Sequence, residues 1–244
     1  MTRRTPLVDA ALDRAVTIPS ATVHAHVDQL RRKHPDATPQ RLVELLEREY
    51  LLLVQGTGGA VGAAAAAPAV GTGVALALTL GDVATFFGAS AAFSLAVASV
   101  HGIDVQDAER RRALLLATIL GETGVKAAAD AGGIRTVSVA RALLTRMPTG
   151  TIRRVNTRLT RQLFRRQLAR QSGLALGRLV PFGVGAVVGV TGARALARTV
   201  IEGAQQAFGP APASFGDRVV VVETGAEPRL LPEGTPAPPR TPAD

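Results

Sequence analysis

Fifty consecutive residues, 51–100, contain a single charged side chain, Asp82. A run of that length without charge has to be buried against other helices or placed in lipid. Its first part, 51–81, holds nine alanines, seven glycines and Pro68; its second, 83–100, includes Phe86, Phe87 and Phe93. Each part approaches the ~20 residues a membrane span needs. Alanine and glycine contribute little transfer free energy, so insertion is expected to be marginal. Gly58 and Gly62, at i and i+4, offer a small-residue face for close helix approach. The Gly81-Asp82 step between the parts reads as a tight turn with Asp82 as N-cap; the rival reading is an intramembrane carboxylate with a function.

Charge is distributed just as unevenly further on. Residues 131–201 carry thirteen arginines and no acid, so a chain of net charge +9 is +13 there and −4 elsewhere. A long single-sign block sets up a field that attracts polyanions or an anionic membrane face. Aromatics are few, with seven Phe, one Tyr and no Trp. That argues against base-stacking single-strand binding and against a conventional interfacial Trp/Tyr belt. Cysteine is absent, which excludes disulfides, thiolate metal sites and cysteine nucleophiles. Asp9 and Asp13 fall where a signal peptide needs its apolar region, so no secretory signal is expected.

Helical signals dominate the rest. Residues 1–19 read as a weakly periodic lead-in, and a polar helix follows from Ser20 to Lys33. Thr38 supplies an N-cap oxygen and Pro39 suits the first helical position. Val43, Leu46, Tyr50 and Leu53 then share one side of an amphipathic helix. Asp104 or Asp107 can cap a helix carrying Arg110, Arg111 and Arg112, and two more helices are expected over about 151–172 and 181–207. The apolar segment 179–192 is too short for a full span and suits a buried or re-entrant helix, with Gly185 and Gly189 as a second close-packing face. Residues 209–244 hold eight of the fifteen prolines and are expected to form a disordered tail. The run Arg218 to Val222 there has strand character but no evident sheet to join. The expected architecture is an all-α multi-helix bundle built on a Gly/Ala-rich apolar hairpin and a second short apolar helix, its helical domain covering 20–208.

Within the basic block, Arg154, Arg158, Arg161 and Arg165 fall within about 60° of one another at 100° per residue. Ile152, Val155, Leu159 and Leu163 occupy the opposite arc. This basic amphipathic pattern suits contact with anionic lipid; the bland alternative is a solvated surface face. Arg166 and Arg170 depart from it on the apolar side.

Catalytic signatures are weak. The glycines 56, 58, 59 and 62 after an apolar run imitate a nucleotide-binding loop, but the preceding residues continue a helical pattern and no later β-rich run follows. His24 and His26 form an HxH pair with no third ligand beside them, and no metal or other cofactor is expected. HExxH, GxSxG and a P-loop are all absent.

The chain resembles the EcsC family of bacterial proteins. The matching landmarks are the helix running into Gln55-Gly56-Thr57-Gly58, the small-residue hairpin ending in His101-Gly102, the run from Arg111 to Gly121, Arg153-Arg154-Val155-Asn156, and the glycine-patterned segment 176–189. Together they cover about 22–208. The resemblance implies an α-helical, membrane-associated protein and brings no established active-site residues with it.

The leading expectation is therefore a non-enzymatic helical protein at the cytoplasmic face of a bacterial membrane, holding anionic lipid or a membrane-protein partner through the arginine block. The enzymatic alternative is lipid or acyl chemistry between the apolar helices, using Asp82, His101 or Glu122. Sequence-nonspecific nucleic-acid binding ranks last, because it leaves the uncharged fifty residues unexplained.

Overall fold

The computed structural model describes residues 6–65, 72–134, 138–174, 184–216 and 219–221. Among these it is an all-α bundle of nine helices with one small pair of strands. In chain order they are α1 (Pro6–Val16), α2 (Ser20–Lys33), α3 (Pro39–Ala65), α4 (Thr72–Val100), β1 (Ile103–Val105), α5 (Ala108–Ile119), α6 (Glu122–Gly132), α7 (Val139–Thr145), α8 (Thr149–Leu174), α9 (Val184–Phe208) and β2 (Val219–Val221).

Local chemistry sets several boundaries. Thr38 Oγ1 accepts from the Arg41 N–H at 3.2 Å, capping α3 behind Pro39. Asp107 Oδ1 accepts from the Arg110 N–H at 2.8 Å and starts α5. Helix α6 stops at Gly133, which takes a left-handed φ of 64° while the Ile134 N–H returns to the Ala129 carbonyl at 2.9 Å.

Helix α4 is the axis of the core. Its residues from Phe87 to Val100 are largely buried, and α1, α2, α3 and α5 pack around it. Tyr50 of α3 stacks on Phe93 at 4.8 Å between centroids and shares a 2.8 Å hydrogen bond with Ser90. Helix α9 lies along α3, and the Gln205 amide donates to Glu47 Oε1 at 2.8 Å. The start of α3, at Gln40 and Val43, shares a cavity with His101 and Phe208 at the ends of α4 and α9, so α3 runs antiparallel to both. The uncharged stretches 56–65, 72–81 and 184–192 therefore gather at one end of a three-helix layer.

Five expectations change. Helix α4 runs unbroken through Gly81 and Asp82, so there is no turn or N-cap at that step. One glycine inside a helix costs about 1 kcal/mol, which a 29-residue apolar helix absorbs. The lead-in is, over Pro6–Val16, a core helix whose Leu12 is fully buried. Leu53 points outward, 51% exposed, and Val54 takes its place in the core. The Val219–Val221 strand does find a partner, pairing in parallel with Ile103–Val105 in the register Asp104 to Val220. The tail is likewise not detached from its start, because Phe215 sits under the Arg31 guanidinium at 4.1 Å from the ring centroid. The remainder of the expected tail, 222–244, lies outside the described residues.

Among the described residues one helix contains a stretch long and apolar enough to cross a membrane: Val83–Val100 of α4, with mean hydropathy 1.8 and 67% of it buried inside the fold.

Candidate functional site

Helix α8 carries the arginine face on two adjacent ridges. Arg153, Thr157, Arg161 and Arg165 recur every four residues along one; Arg154, Arg158 and Gln162 form the next. Ile152, Val155 and Leu159 are buried against the core, which holds both ridges outward. Arg153, Arg154, Arg158, Arg161 and Arg165 are all exposed, as the periodicity predicts for the four expected positions.

Helix α6 lies beside α8 and completes a groove of about 960 Å³. The five arginines and Lys126 line it, opposed by Glu122 and Asp130, giving the walls a net charge of +4. None of the five arginines makes an ion pair with a described residue. The two acids moderate the field without neutralising it. Arg166 is different: its Nη1 donates to the Leu120 carbonyl at 2.8 Å and its Nη2 to the Thr123 hydroxyl. It satisfies the C-terminal end of α5 and clamps the groove wall in place. An arginine on the apolar arc is thus a structural tie rather than a break in the pattern.

The other predicted positions scatter. Asp82 lies in the α4 helix about 27 Å along its axis from Val100, at 1.5 Å rise per residue. His101 sits just past the opposite end of that helix, so the two are not neighbours. Glu122 opens α6 and lines the cationic groove. The three candidates Asp82, His101 and Glu122 thus lie in separate places, and no two of them share a described pocket. His101 instead lines a cavity of about 340 Å³ that includes Glu47, Gln205 and Phe208, its ring centroid 5.0 Å from that of Phe208. Burial, assisted by the charge of Arg141, pushes His101 down to about 4. Burial raises the Glu47 carboxyl, with Glu44 adding to it and the Gln205 hydrogen bond opposing it.

Gly58 is buried on α3, which packs along α9, the helix that carries Gly185 and Gly189. The packing at Gly62, Gly185 and Gly189 themselves lies outside the described residues. A close helix approach is described at Gly203 of α9, whose backbone faces the Thr118 carbonyl of α5 and the Gly121 backbone beyond it so closely that an added methyl group would collide with the carbonyl. That position carries no i, i+4 glycine partner and was not signalled by spacing.

The HxH pair is divided between two roles. His26 contacts Glu49 at 2.8 Å on the surface. His24 meets Ser99 Oγ at 2.9 Å through Nδ1, and its Nε2 lies 3.2 Å from Asp104 Oδ1, off the line of a good hydrogen bond. Burial works to raise the Asp104 carboxyl, but its contacts with Ser20, His24 and Gln106 hold it below the usual range. Ser99 is buried, so this array ties α2, α4 and β1 together rather than presenting a nucleophile. Among the described residues no cluster of three or more His, Asp or Glu side chains is placed to hold a metal ion.

No family model, curated protein or solved structure matches this chain.

Proposed function

We propose that this protein is a non-enzymatic, membrane-associated helical protein of the EcsC kind that binds anionic phospholipid at a bacterial cytoplasmic membrane face through helix α8. The observation that carries this is the exposed arginine face, five guanidinium groups on two adjacent ridges of one helix with Lys126 across the groove and no ion pair to a described residue. Each Lys or Arg held near an anionic leaflet contributes about 1 kcal/mol, so the face can retain a protein that inserts poorly. The apolar stretch Val83–Val100 is mostly committed to the core, which favours contact at the surface over a span by that helix. The uncharged helix ends 56–65, 72–81 and 184–192 lie together and are the part suited to dip into the acyl region.

The test is co-sedimentation of the full chain with vesicles of neutral lipid, alone or with an anionic component, across a salt series. Binding is expected only with anionic lipid, to fall steeply with salt, and to be lost in Arg158→Glu/Arg161→Glu. Equal binding to neutral vesicles at high salt, or a charge-reversed variant that binds normally, would refute it. Duplex DNA as competitor separates the nucleic-acid alternative, which requires displacement from vesicles at similar phosphate concentration.

A second reading, acid–base chemistry, now rests on Glu47 and His101 because both line one cavity with oppositely perturbed proton affinities. It predicts that Glu47→Gln and His101→Gln each abolish a turnover the native chain performs.

A further inference from the structure

Helices α3, α4 and α9 converge on the cavity of about 340 Å³ that holds His101. Helix α9 ends at Phe208, and Gly209, with a left-handed φ of 73°, turns the chain so that Pro210 and Ala211 join the lining. Val43, Phe93, Val97, Ala204 and Phe208 supply apolar and aromatic walls. Among the lining residues Glu47 is the one acid, and no lysine or arginine accompanies it. Its Oε1 accepts from the Gln205 amide at 2.8 Å, a neutral donor, and no described cation forms an ion pair with it. His101 does not supply the missing charge, because burial pushes its ring from 6.5 down to about 4 and keeps it neutral. The cavity therefore holds an unbalanced carboxylate among apolar walls. Burial raises that carboxyl, and a cation arriving beside it would relieve the cost.

We propose that this cavity binds an organic ammonium ion, a free amine with a compact hydrocarbon body, and that Glu47 is its counter-ion. The unbalanced carboxylate selects a cation and offers it a charge-assisted hydrogen bond. The aliphatic and aromatic lining selects a hydrocarbon body, and rings such as those of Phe93 and Phe208 favour an organic cation over a strongly hydrated one. A metal ion is a poor fit. One carboxylate with two neutral amides is too few oxygen ligands, and the described residues hold no three-residue acid or histidine cluster. An anion would meet Glu47 with no basic side chain in the lining to receive it. The volume lies at the small end of the range for small-molecule sites.

This site is separate from the arginine face, because no residue of α8 lines it, and binding there requires no turnover. Titration calorimetry on the full chain at neutral pH with phenethylammonium, phenethyl alcohol, methylammonium and hydrocinnamate tests it. Phenethylammonium is expected to bind about tenfold or more tightly than the alcohol, which lacks the charge, and than methylammonium, which lacks the body. Hydrocinnamate, an anion of similar shape, is expected to bind most weakly. Glu47→Gln is expected to bring the amine down to the affinity of the alcohol and to leave the alcohol unchanged. Glu44→Gln removes an acid outside the cavity that is paired with Arg41 at 2.7 Å, and should alter amine affinity by no more than about twofold. Alcohol binding as tightly as the amine, the anion binding best, or no saturable binding by any of these probes overturns the proposal. Equal losses in Glu44→Gln and Glu47→Gln assign the preference to diffuse charge and overturn it as well. Should Glu47→Gln not fold, the ranking of the probes on the native chain still decides. A chain that binds the amine but no vesicle leaves this site standing and removes the arginine-face reading; one that binds anionic vesicles but no amine does the reverse.

Discussion

Arg111 Nη1 donates to the Ile18 carbonyl at 2.6 Å, reaching from α5 into the connection between α1 and α2. The same guanidinium also serves the Val16 carbonyl at 3.0 Å, the Val105 carbonyl and the Ser20 hydroxyl. Its neighbours divide the work. Arg110 is buried and donates to the carbonyls of Leu143, Leu144 and Met147, which closes the end of α7. Arg112 pairs with Asp9 and Asp13 of α1. Three consecutive arginines thus fasten three different parts of the chain to α5.

Replacing Arg111 should therefore be far costlier than replacing Arg112. Arg111→Ala strands several buried carbonyls and is expected to lose about 3 kcal/mol or more. Arg111→Lys should recover only part, since an ammonium lacks the planar fork. Arg112→Ala breaks partly exposed ion pairs and is expected to cost about 1 kcal/mol or less. Urea unfolding midpoints of the three variants test the order.

Two glycines of α9 should respond oppositely to alanine. At Gly203 an added methyl collides with the Thr118 carbonyl, so Gly203→Ala is expected to destabilise by about 1–3 kcal/mol. At Gly192, exposed and with open space around it, Gly192→Ala is expected to stabilise by about 0.5–1 kcal/mol through helix propensity. Thermal melts of the pair would show whether α9 is as closely docked on α5 as described.

Acidic pH should weaken the fold through His101. Its folded pKa, pushed down to about 4, lies below the ordinary value of 6.5. The unfolded chain therefore takes up the proton first. The stabilisation is fully present above about pH 6.5 and drains away as pH falls toward 4. The raised Glu47 carboxyl acts in the opposite sense, so the informative comparison is native chain against His101→Gln on the same background. The variant should show a shallower loss of stability between pH 6.5 and 4.5.

Removing the acids from the cationic groove should tighten anionic contact. Glu122→Gln and Asp130→Asn each delete a negative charge facing the arginines. With about 1 kcal/mol per charge near an anionic surface, each is expected to raise vesicle affinity several-fold, measured by co-sedimentation at fixed salt.

Much of the helical architecture was legible because it is local. The Arg154, Arg158, Arg161 and Arg165 face follows from a 3.6-residue period, and caps such as Thr38 and Asp107 announce themselves in sequence. The Gly81-Asp82 step misled for the complementary reason: a local breaker signal yields when the surrounding helix is long and well packed. What local pattern does not carry is pairing across distance. The partner of β1 lies beyond residue 218, Glu47 shares a cavity with His101 from 54 positions away, and Gly203 meets α5 without a spacing signature. Asn156 stood in plain view between basic and apolar residues. Its role as a tie appears only in the fold, where its amide donates to the carbonyl and carboxylate of Glu109, 47 positions away.

The antiparallel contact between α3 and α9 has a consequence during synthesis. Glu47 and Gln205 are 158 positions apart, so α3 leaves the ribosome long before the helix that covers it exists. Until then its small-residue flank has only α4 for shelter. A nascent chain in that state offers a sticky hairpin to chaperones, to its siblings on the same polysome, or to the nearest bilayer.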